Sequence, residues 1–211
     1  MATPTPRYVA FIADVVASRA RPPRARGALQ QRLRELAREF NTRYRAQLAA
    51  RCAVTLGDEL QALFANALPV WEAAHELRLR LPDVEWVVAC GRGTLSTPLH
   101  RGVTAPELDG PCFHAARAAL DAAKQDGRVF ALGGFDAPLD GYAHYYSALY
   151  RGWSARQRAL ATAQRARPEA RLKELARLIG VEATSISHRR RRMAWPLVVL
   201  GDKLFQEMLA R

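Results

Sequence analysis

Residues 8–16 (YVAFIADVV) form an almost unbroken apolar, β-prone run, the pattern of a strand covered on both faces. The period changes after Pro22 and Pro23. Over residues 24–48 the apolar positions Leu29, Leu33, Leu36, Phe40 and Tyr44 recur at helical spacing, with Arg and Glu between them, which predicts a long amphipathic helix. Two short apolar runs follow, 52–56 and 60–64, and between them stand Gly57, Asp58 and Glu59. That pattern predicts a β-hairpin, because Gly supplies the positive φ that a tight turn demands. A helix is expected over 69–81, a strand over 84–90, a helix over 112–124 and a short strand over 128–132. The order β-α-β-β-α-β-α-β calls for helices packed on a sheet. A ferredoxin-like sheet fits it, with the first strand and part of the hairpin at its centre. Asp14 and Asp58 are then expected side by side at one end of the sheet.

A turn-rich boundary at 133–141 (GGFDAPLDG) separates this region from a more helical one. Tyr142, Tyr145, Tyr146, Leu149, Tyr150 and Trp153 mark an amphipathic connector whose aromatic stripe is read as packing surface. Ser154 and Gln157 have capping-box spacing and start a helix to about Arg165. Pro168 is expected to open the next helix, which carries Leu172, Leu175, Ala176, Leu178 and Ile179 and ends at Gly180. Ala176, Gly180 and Ile186 then have the spacing of a helix-turn-helix. Its second helix presents Thr184, Ser185, Ser187, His188 and Arg191 outward as candidate readers of base edges. Arg189, Arg190 and Arg192 are placed toward phosphates. Pro196 is expected to close that helix before a last one with Leu197, Leu200, Leu204 and Met208. The division is therefore a sheet domain over 1–136, a connector helix over 137–153 and a helix-turn-helix module over 154–211.

Charge strengthens the second part of this picture. The 211-residue chain carries a net charge of +12, with 14 basic and 5 acidic side chains over 151–211 against 18 and 15 over 1–150. Positive charge gathered on a small module is the footprint of a nucleic-acid binder. Only Lys124, Lys173 and Lys203 are lysines, so an Arg-rich coding bias can inflate the total but not the asymmetry. The plain alternative is an Arg-rich solvated helix in an interaction module. No apolar run approaches ~18 residues, so no membrane span is expected, and residues 1–6 have no leader-like pattern. Cys52, Cys90 and Cys112 are odd in number and widely spaced, which points away from disulfides and toward a reducing, cytoplasmic location.

Two adjacent carboxylates are an unusual choice for a hairpin tip, since like charges repel. Mg²⁺ takes hard oxygen ligands together with substrate phosphates, so carboxylates at a strand end suit it. Alone, the Asp58-Glu59 pair fits a solvated turn as well as a metal site. Asp14 beside it favours the metal.

The stretches 11–16 (FIADVV) and 54–58 (VTLGD) resemble the two metal-binding stretches of class III nucleotidyl cyclases and, more loosely, of GGDEF domains. Residues 110–117 (GPCFHAAR) look like the cyclase helix that carries a catalytic Asn and Arg. Over nearly the whole chain the sequence resembles the SatD family. The shared features are the Asp-Val-Val-x-Ser-Arg segment at 14–19, the Gly-Asp-Glu-x-Gln hairpin at 57–61 and Asp109-Gly110-Pro111-x-Phe113-His114-x-x-Arg117. Such proteins often carry a helix-turn-helix introduced by Trp-x-x-x-Gln, as at 153–157.

The resemblance implies an α/β (α+β) fold: a ferredoxin-like, nucleotidyl-cyclase-like palm with a C-terminal all-α helix-turn-helix module. It implies that Asp14, Asp58 and the backbone carbonyl of Val15 bind one or two Mg²⁺ (or Mn²⁺), with Glu59 as the next ligand. A nucleoside triphosphate or other nucleotide would be held there, with Ser18, Arg19, Gly57, Gly110 and Arg117 in contact with it. His114 stands where the cyclase pattern has Asn, three residues from Arg117 and not four; His114 and Arg117 are the catalytic candidates. No pair of residues matches the cyclase base-selecting pair. Three readings follow: a cytosolic DNA-binding regulator whose palm binds metal and nucleotide, an active nucleotidyltransferase or cyclase-like enzyme, and a ligand-free dimerisation domain fused to a DNA-binding module. A homodimer suits all three, and no membrane insertion is expected because 189–192 lack a sustained apolar face.

Overall fold

The computed structural model describes residues 6–55 and 57–211; residues 1–5, Leu56 and the side chain of Arg19 lie outside the described part, and with them the leader expectation, one hairpin position and a nucleotide contact. The sheet domain runs β1 (Tyr8–Val15), α1 (Pro23–Arg43), β2 (Leu48–Val54), β3 (Glu59–Phe64), α2 (Val70–Arg80), β4 (Trp86–Gly93), α3 (Pro111–Asp126) and β5 (Phe130–Gly133). The strand order is β2-β3-β1-β4-β5. Strand β1 is antiparallel to both β3 and β4, and β4 runs parallel to β5 through the α3 crossover. The first four strands have the ferredoxin-like arrangement, and β5 extends it by one edge.

Both faces are covered, which is why the β1 run is apolar without alternation. Val9, Phe11, Ala13 and Val15 pack toward α1 and α2, among Leu33, Phe40, Trp71 and Leu77. Ala10 and Ile12 pack on the opposite face with Cys112, Ala116 and Leu120 of α3. Helix α3 lies on the sheet backbone to backbone, and glycines make that possible. A Cβ on Gly91 would stand 2.1 Å from the Cys112 carbonyl oxygen, and one on Gly133 would stand 2.3 Å from that of Ala115.

Two boundaries differ from the periodicity. Helix α1 ends at Arg43, not near Leu48, because Gln47 and Leu48 both donate backbone N–H to the Tyr44 carbonyl and turn the chain. Asn41 then clamps the strand that follows, its Nδ2 donating to the Cys52 carbonyl at 2.8 Å and its Oδ1 accepting from the Cys52 N–H at 2.7 Å. Leu48 continues the helical apolar spacing and yet begins β2.

The helical region comprises α4 (Ala137–Gly152), α5 (Ala155–Ala166), α6 (Leu172–Ile179), α7 (Ala183–Arg192) and α8 (Trp195–Leu209). Ser154 and Gln157 form the expected capping box. Gly180 takes the left-handed conformation at φ 64° after α6, the Val181 N–H returns to the Ala176 carbonyl, and Ile186 of α7 is fully buried. That is helix-turn-helix geometry. Pro168 lies in the turn before α6, and Pro196 sits in the first turn of α8 instead of closing α7. A first-turn N–H has no intrahelical partner, so Pro costs nothing there.

The helical region is tied to the sheet domain by buried contacts. Phe205 and Leu209 of α8 join the core around Trp71, Phe130 and Tyr146, while Trp195 and Val198 belong to the helical cluster with Leu160, Leu175 and Ile186. Of the tyrosine stripe, Tyr146 is buried, Tyr142 stacks on Phe205 with ring centroids 4.3 Å apart, and Tyr145 is exposed. Arg165 is buried at the junction. It makes a bidentate pair with Asp202 at 2.8 and 3.0 Å and is surrounded by the rings of Trp71, Tyr146, Trp153 and Trp195 at 5.1 to 5.7 Å. Arg167 pairs with the buried Glu76 of α2.

His75 sits in the same junction. Its Nδ1–H donates to the Trp71 carbonyl at 2.7 Å, and its Nε2 accepts from the Tyr146 hydroxyl at 3.0 Å. Burial first, then the Arg165 and Arg78 cations, hold its pKa well below the ordinary imidazole value. Below about pH 6.5 the unfolded chain takes up a proton at this residue that the folded chain refuses. Stability should therefore rise with pH through that window and fall by up to ~1.4 kcal/mol per unit on acidification. Urea unfolding at pH 7 and 5.5 should show this loss, and His75→Gln should flatten it; an equal slope in the variant would assign the loss to another group.

Candidate functional site

Strand alternation decides which side chains meet at the end of β1. Asp14 shares a face with Ala10 and Ile12, so it points toward α3, as does Glu59 beside it on β3, whose register partner is Asp14. Gly57, with φ 135°, shapes the turn between β2 and β3, and Gln30 of α1 donates to its carbonyl at 3.4 Å. On α3, Arg117 and Lys124 are seven residues apart and therefore on one face. Arg117 makes a fork on Glu59, Nη1 to Oε2 at 2.6 Å and Nη2 to Oε1 at 2.8 Å, while Gln61 donates to the same carboxylate at 2.7 Å. Lys124 Nζ lies 2.8 Å from Asp14 Oδ2. The bonds from Glu59 raise the Arg117 pKa above its ordinary value, against the cost of partial burial.

Two clefts meet at this point. The larger, about 930 Å³, is lined by Asp14, Asp58, Glu59, Arg117 and Lys124, with Gln30 and Arg34 from α1 and Gly57 from the turn. The smaller, about 500 Å³, shares Asp14, Asp58 and Lys124 and continues along Val15, Ser18 and Arg128. Ala17, at φ 54°, enters the left-handed region just before the short 3₁₀ turn Ser18–Ala20. The structure thus brings together Asp14, Val15, Ser18, Gly57, Asp58, Glu59 and Arg117. Gly110 and His114 line neither cleft, although His114 stands one turn before Arg117 near the start of α3. There His114 Nε2 meets Asp109 Oδ1 at 2.8 Å in solvent, and Gly110 is needed because a Cβ would stand 2.7 Å from the backbone of Leu95 and Ser96.

Lys124, Gln30 and Arg34 were not among the residues expected here. For Lys124 a signal exists in the sequence: it is one of three lysines and lies at i+7 from Arg117. Gln30 and Arg34 give none, since only the packing of α1 on the sheet brings them to the cleft.

The donors suit a divalent ion that is held partly by its ligand. Asp14, Asp58 and the Val15 carbonyl offer hard oxygens, but Glu59 is engaged by Arg117 and one Asp14 oxygen by Lys124. Among the described residues no group of three or more His, Cys, Asp or Glu is gathered closely enough to hold a metal unaided. Mg²⁺ commonly needs no more than one or two carboxylates when phosphates complete its shell. The three cysteines are buried free thiols, with burial pushing Cys112 up to about 11 and Cys52 up to about 12.

On α7, Thr184, Ser187, His188 and Arg191 are exposed along one face, with Arg192 beside them. The other three candidates are partly covered. Ser185 Oγ donates to the Glu182 carbonyl at 2.7 Å, Arg190 Nε donates to Gln164 Oε1 at 3.1 Å, and one Arg189 guanidinium nitrogen is buried. Burial lowers the Arg190 pKa from its ordinary value.

A ferredoxin-like sheet whose acidic strand end faces Arg117 and Lys124 of α3, followed by a packed helix-turn-helix unit, defines a palm-type α+β protein. The chain belongs to the SatD family, whose family model matches residues 8–128. Among solved structures, the chain is similar to a bacterial light-regulated adenylyl cyclase at 16% identity and a TM-score of 0.42, covering 62% of this chain and 77% of that one. A second such cyclase structure matches at 15% identity and 0.41, covering 60% of this chain and 42% of the other. No curated protein matches. No helix among the described residues is long and apolar enough to cross a membrane.

Proposed function

We propose that this protein is a nucleotide-responsive DNA-binding regulator: the palm holds a nucleoside polyphosphate with Mg²⁺ or Mn²⁺, and α7 contacts an operator. One observation carries the palm half. Two carboxylates, Asp14 and Asp58, line both clefts that meet at Lys124, with Arg117 and Arg34 on the rim of the larger one. Carboxylates for a cation beside cations for phosphates are the complement of a metal–polyphosphate. The metal would be held by Asp14, Asp58 and the Val15 carbonyl, and when bound it would neutralise phosphate charge. With a metal on Asp14, Lys124 would be placed to pair with a phosphate oxygen of the same ligand. Binding is favoured over turnover because His114, the candidate acid–base group, lines neither cleft and meets Asp109 in solvent instead. Asp58→Ala should weaken Mn²⁺-dependent nucleotide binding at least ~10-fold in titration calorimetry, the loss of one charged ligand being worth more than ~1.4 kcal/mol. Unchanged affinity would remove Asp58 from the site.

For the DNA half, the exposed stripe Thr184, Ser187, His188 and Arg191 follows the i, i+3, i+4, i+7 spacing of a helix laid in a groove. A homodimer would supply two such helices. Leu197, Leu200 and Leu204 leave an exposed apolar stripe on α8, directly after α7, and the stretch 197–201 carries no charge. A second copy of the same stripe fits it, and the two-residue link between α7 and α8 would then set the spacing of the recognition helices. Arg191→Ser with Arg192→Ser should lower duplex affinity and reduce the slope of log affinity against log salt by roughly 1.5. Light scattering of the complex should count two chains per duplex. An unaltered slope would take α7 off the DNA.

A further inference from the structure

A third cleft, of about 690 Å³, opens along the edge strand β2, and its charge is of one sign. Arg38 reaches it from α1, Arg45 from the turn that follows α1, Arg51 from β2, and Arg101 from the loop before α3. All four are exposed, and among the described residues none of them makes an ion pair and no carboxylate lines the cleft. Arg32, Arg43, Arg80, Arg117, Arg128, Arg165 and Arg167 each meet an acidic partner, whereas here four arginines gather around one concavity with no carboxylate in its lining.

The frame under these guanidiniums is held at both sides. The Asn41 clamp on Cys52 fixes α1 to β2, and the Arg51 N–H donates to the Val103 carbonyl at 3.1 Å, with a parallel bridge from Arg51 to Thr104. These bonds tie the loop that carries Arg101 to the same strand. Four like charges gathered around one concavity repel one another, and the field they create draws in anions. Guanidinium forks match phosphate oxygens bidentately.

We infer that the β2 cleft is a binding site for a chain of phosphates, as phosphoanhydride or phosphodiester groups, separate from the palm site and independent of divalent metal. Arg38, Arg45, Arg51 and Arg101 each meet a phosphate oxygen, with Ala49 and Ala50 below them. The cleft volume is within the ~300–1,000 Å³ usual for a ligand site. Arg34, one turn before Arg38 on α1, lines the palm cleft, so the two sites lie along the same helix.

The test is binding by the full chain in EDTA, which removes metal from the palm, with inorganic tripolyphosphate in one arm and a fluorescent single-stranded 12-mer in the other. At least one probe is expected to bind with a one-to-one stoichiometry. Arg45→Ser with Arg101→Ser should weaken it about tenfold, two surface charge contacts at up to ~1 kcal/mol each, and lower the salt slope by roughly 1.5. Binding of tripolyphosphate alone identifies a free polyphosphate ligand, and binding of the 12-mer alone identifies a nucleic-acid strand. Because both positions are exposed, the double variant should keep the wild-type unfolding temperature. Failure of both probes to bind, or equal affinity and slope in the double variant, overturns the site.

Discussion

Asp202→Asn should lower stability by about 3–5 kcal/mol, because it leaves the Arg165 cation buried without its counter-charge. Arg165 is 3% exposed at the side chain and Asp202 15%, so solvent cannot replace the missing partner. Burial works against the Arg165 cation, and the charge and hydrogen bonds of Asp202 overcome it and hold its pKa above the ordinary value. Tyr142 loses a partner as well, since its hydroxyl donates to Asp202 at 2.6 Å. For a chain of this size the loss corresponds to a fall in melting temperature on the order of 10 °C. Differential scanning calorimetry reads it directly. Arg165→Met combined with Asp202→Leu should recover part of the loss, because replacing both partners removes the uncompensated charge. A single variant as stable as wild type would mean that Asp202 does not compensate the buried Arg165 cation. The four rings around Arg165 come from α2, α4, the link before α5, and α8, so the expected transition is one cooperative event for both regions.

Gly91→Ala is expected to cost at least ~3 kcal/mol, the upper end for overpacking, because its obstacles are backbone atoms. The new methyl would stand 2.1 Å from the Cys112 carbonyl oxygen and 2.3 Å from the Ala116 amide nitrogen. Helix α3 must then lift from β4. That motion would also draw Arg117 and Lys124 away from Glu59 and Asp14, since all are positioned by the depth at which α3 rests on the sheet. Gly141→Ala is the matched control: it lies within α4, nothing stands within 4 Å of its added Cβ, and it should stabilise by up to ~1 kcal/mol. Urea unfolding of the two variants separates them. If Gly91→Ala were as stable as wild type, the close contact of α3 with the sheet would be wrong.

Much of this arrangement is legible before folding. Residues 8–16 could be placed as a doubly covered strand because both of its faces are buried, and the Gly57 turn could be placed because few other residues take φ near 135°. Capping at Ser154 and the Ala176–Gly180–Ile186 spacing are local rules, and they held. Pro196 misled because Pro is as welcome one residue into a helix as just past the end of one. The α1 terminus misled because a side-chain clamp from Asn41, not the apolar period, decides where β2 begins.

At the candidate site the division follows the reach of each interaction. The sequence by itself determined the strand ends that carry Asp14, Asp58 and Glu59, through hydrophobic pattern and turn chemistry acting over a few residues. Only the tertiary structure decided their partners. Glu59 meets Arg117 across 58 residues of sequence, and Asp14 meets Lys124, because glycines let α3 rest on the sheet at one depth and register. The same fold leaves His114 outside both clefts and gathers Arg38, Arg45, Arg51 and Arg101 from α1, the turn after it, β2 and the loop before α3. Pairings of this kind depend on side chains distant in sequence, and no local period encodes them.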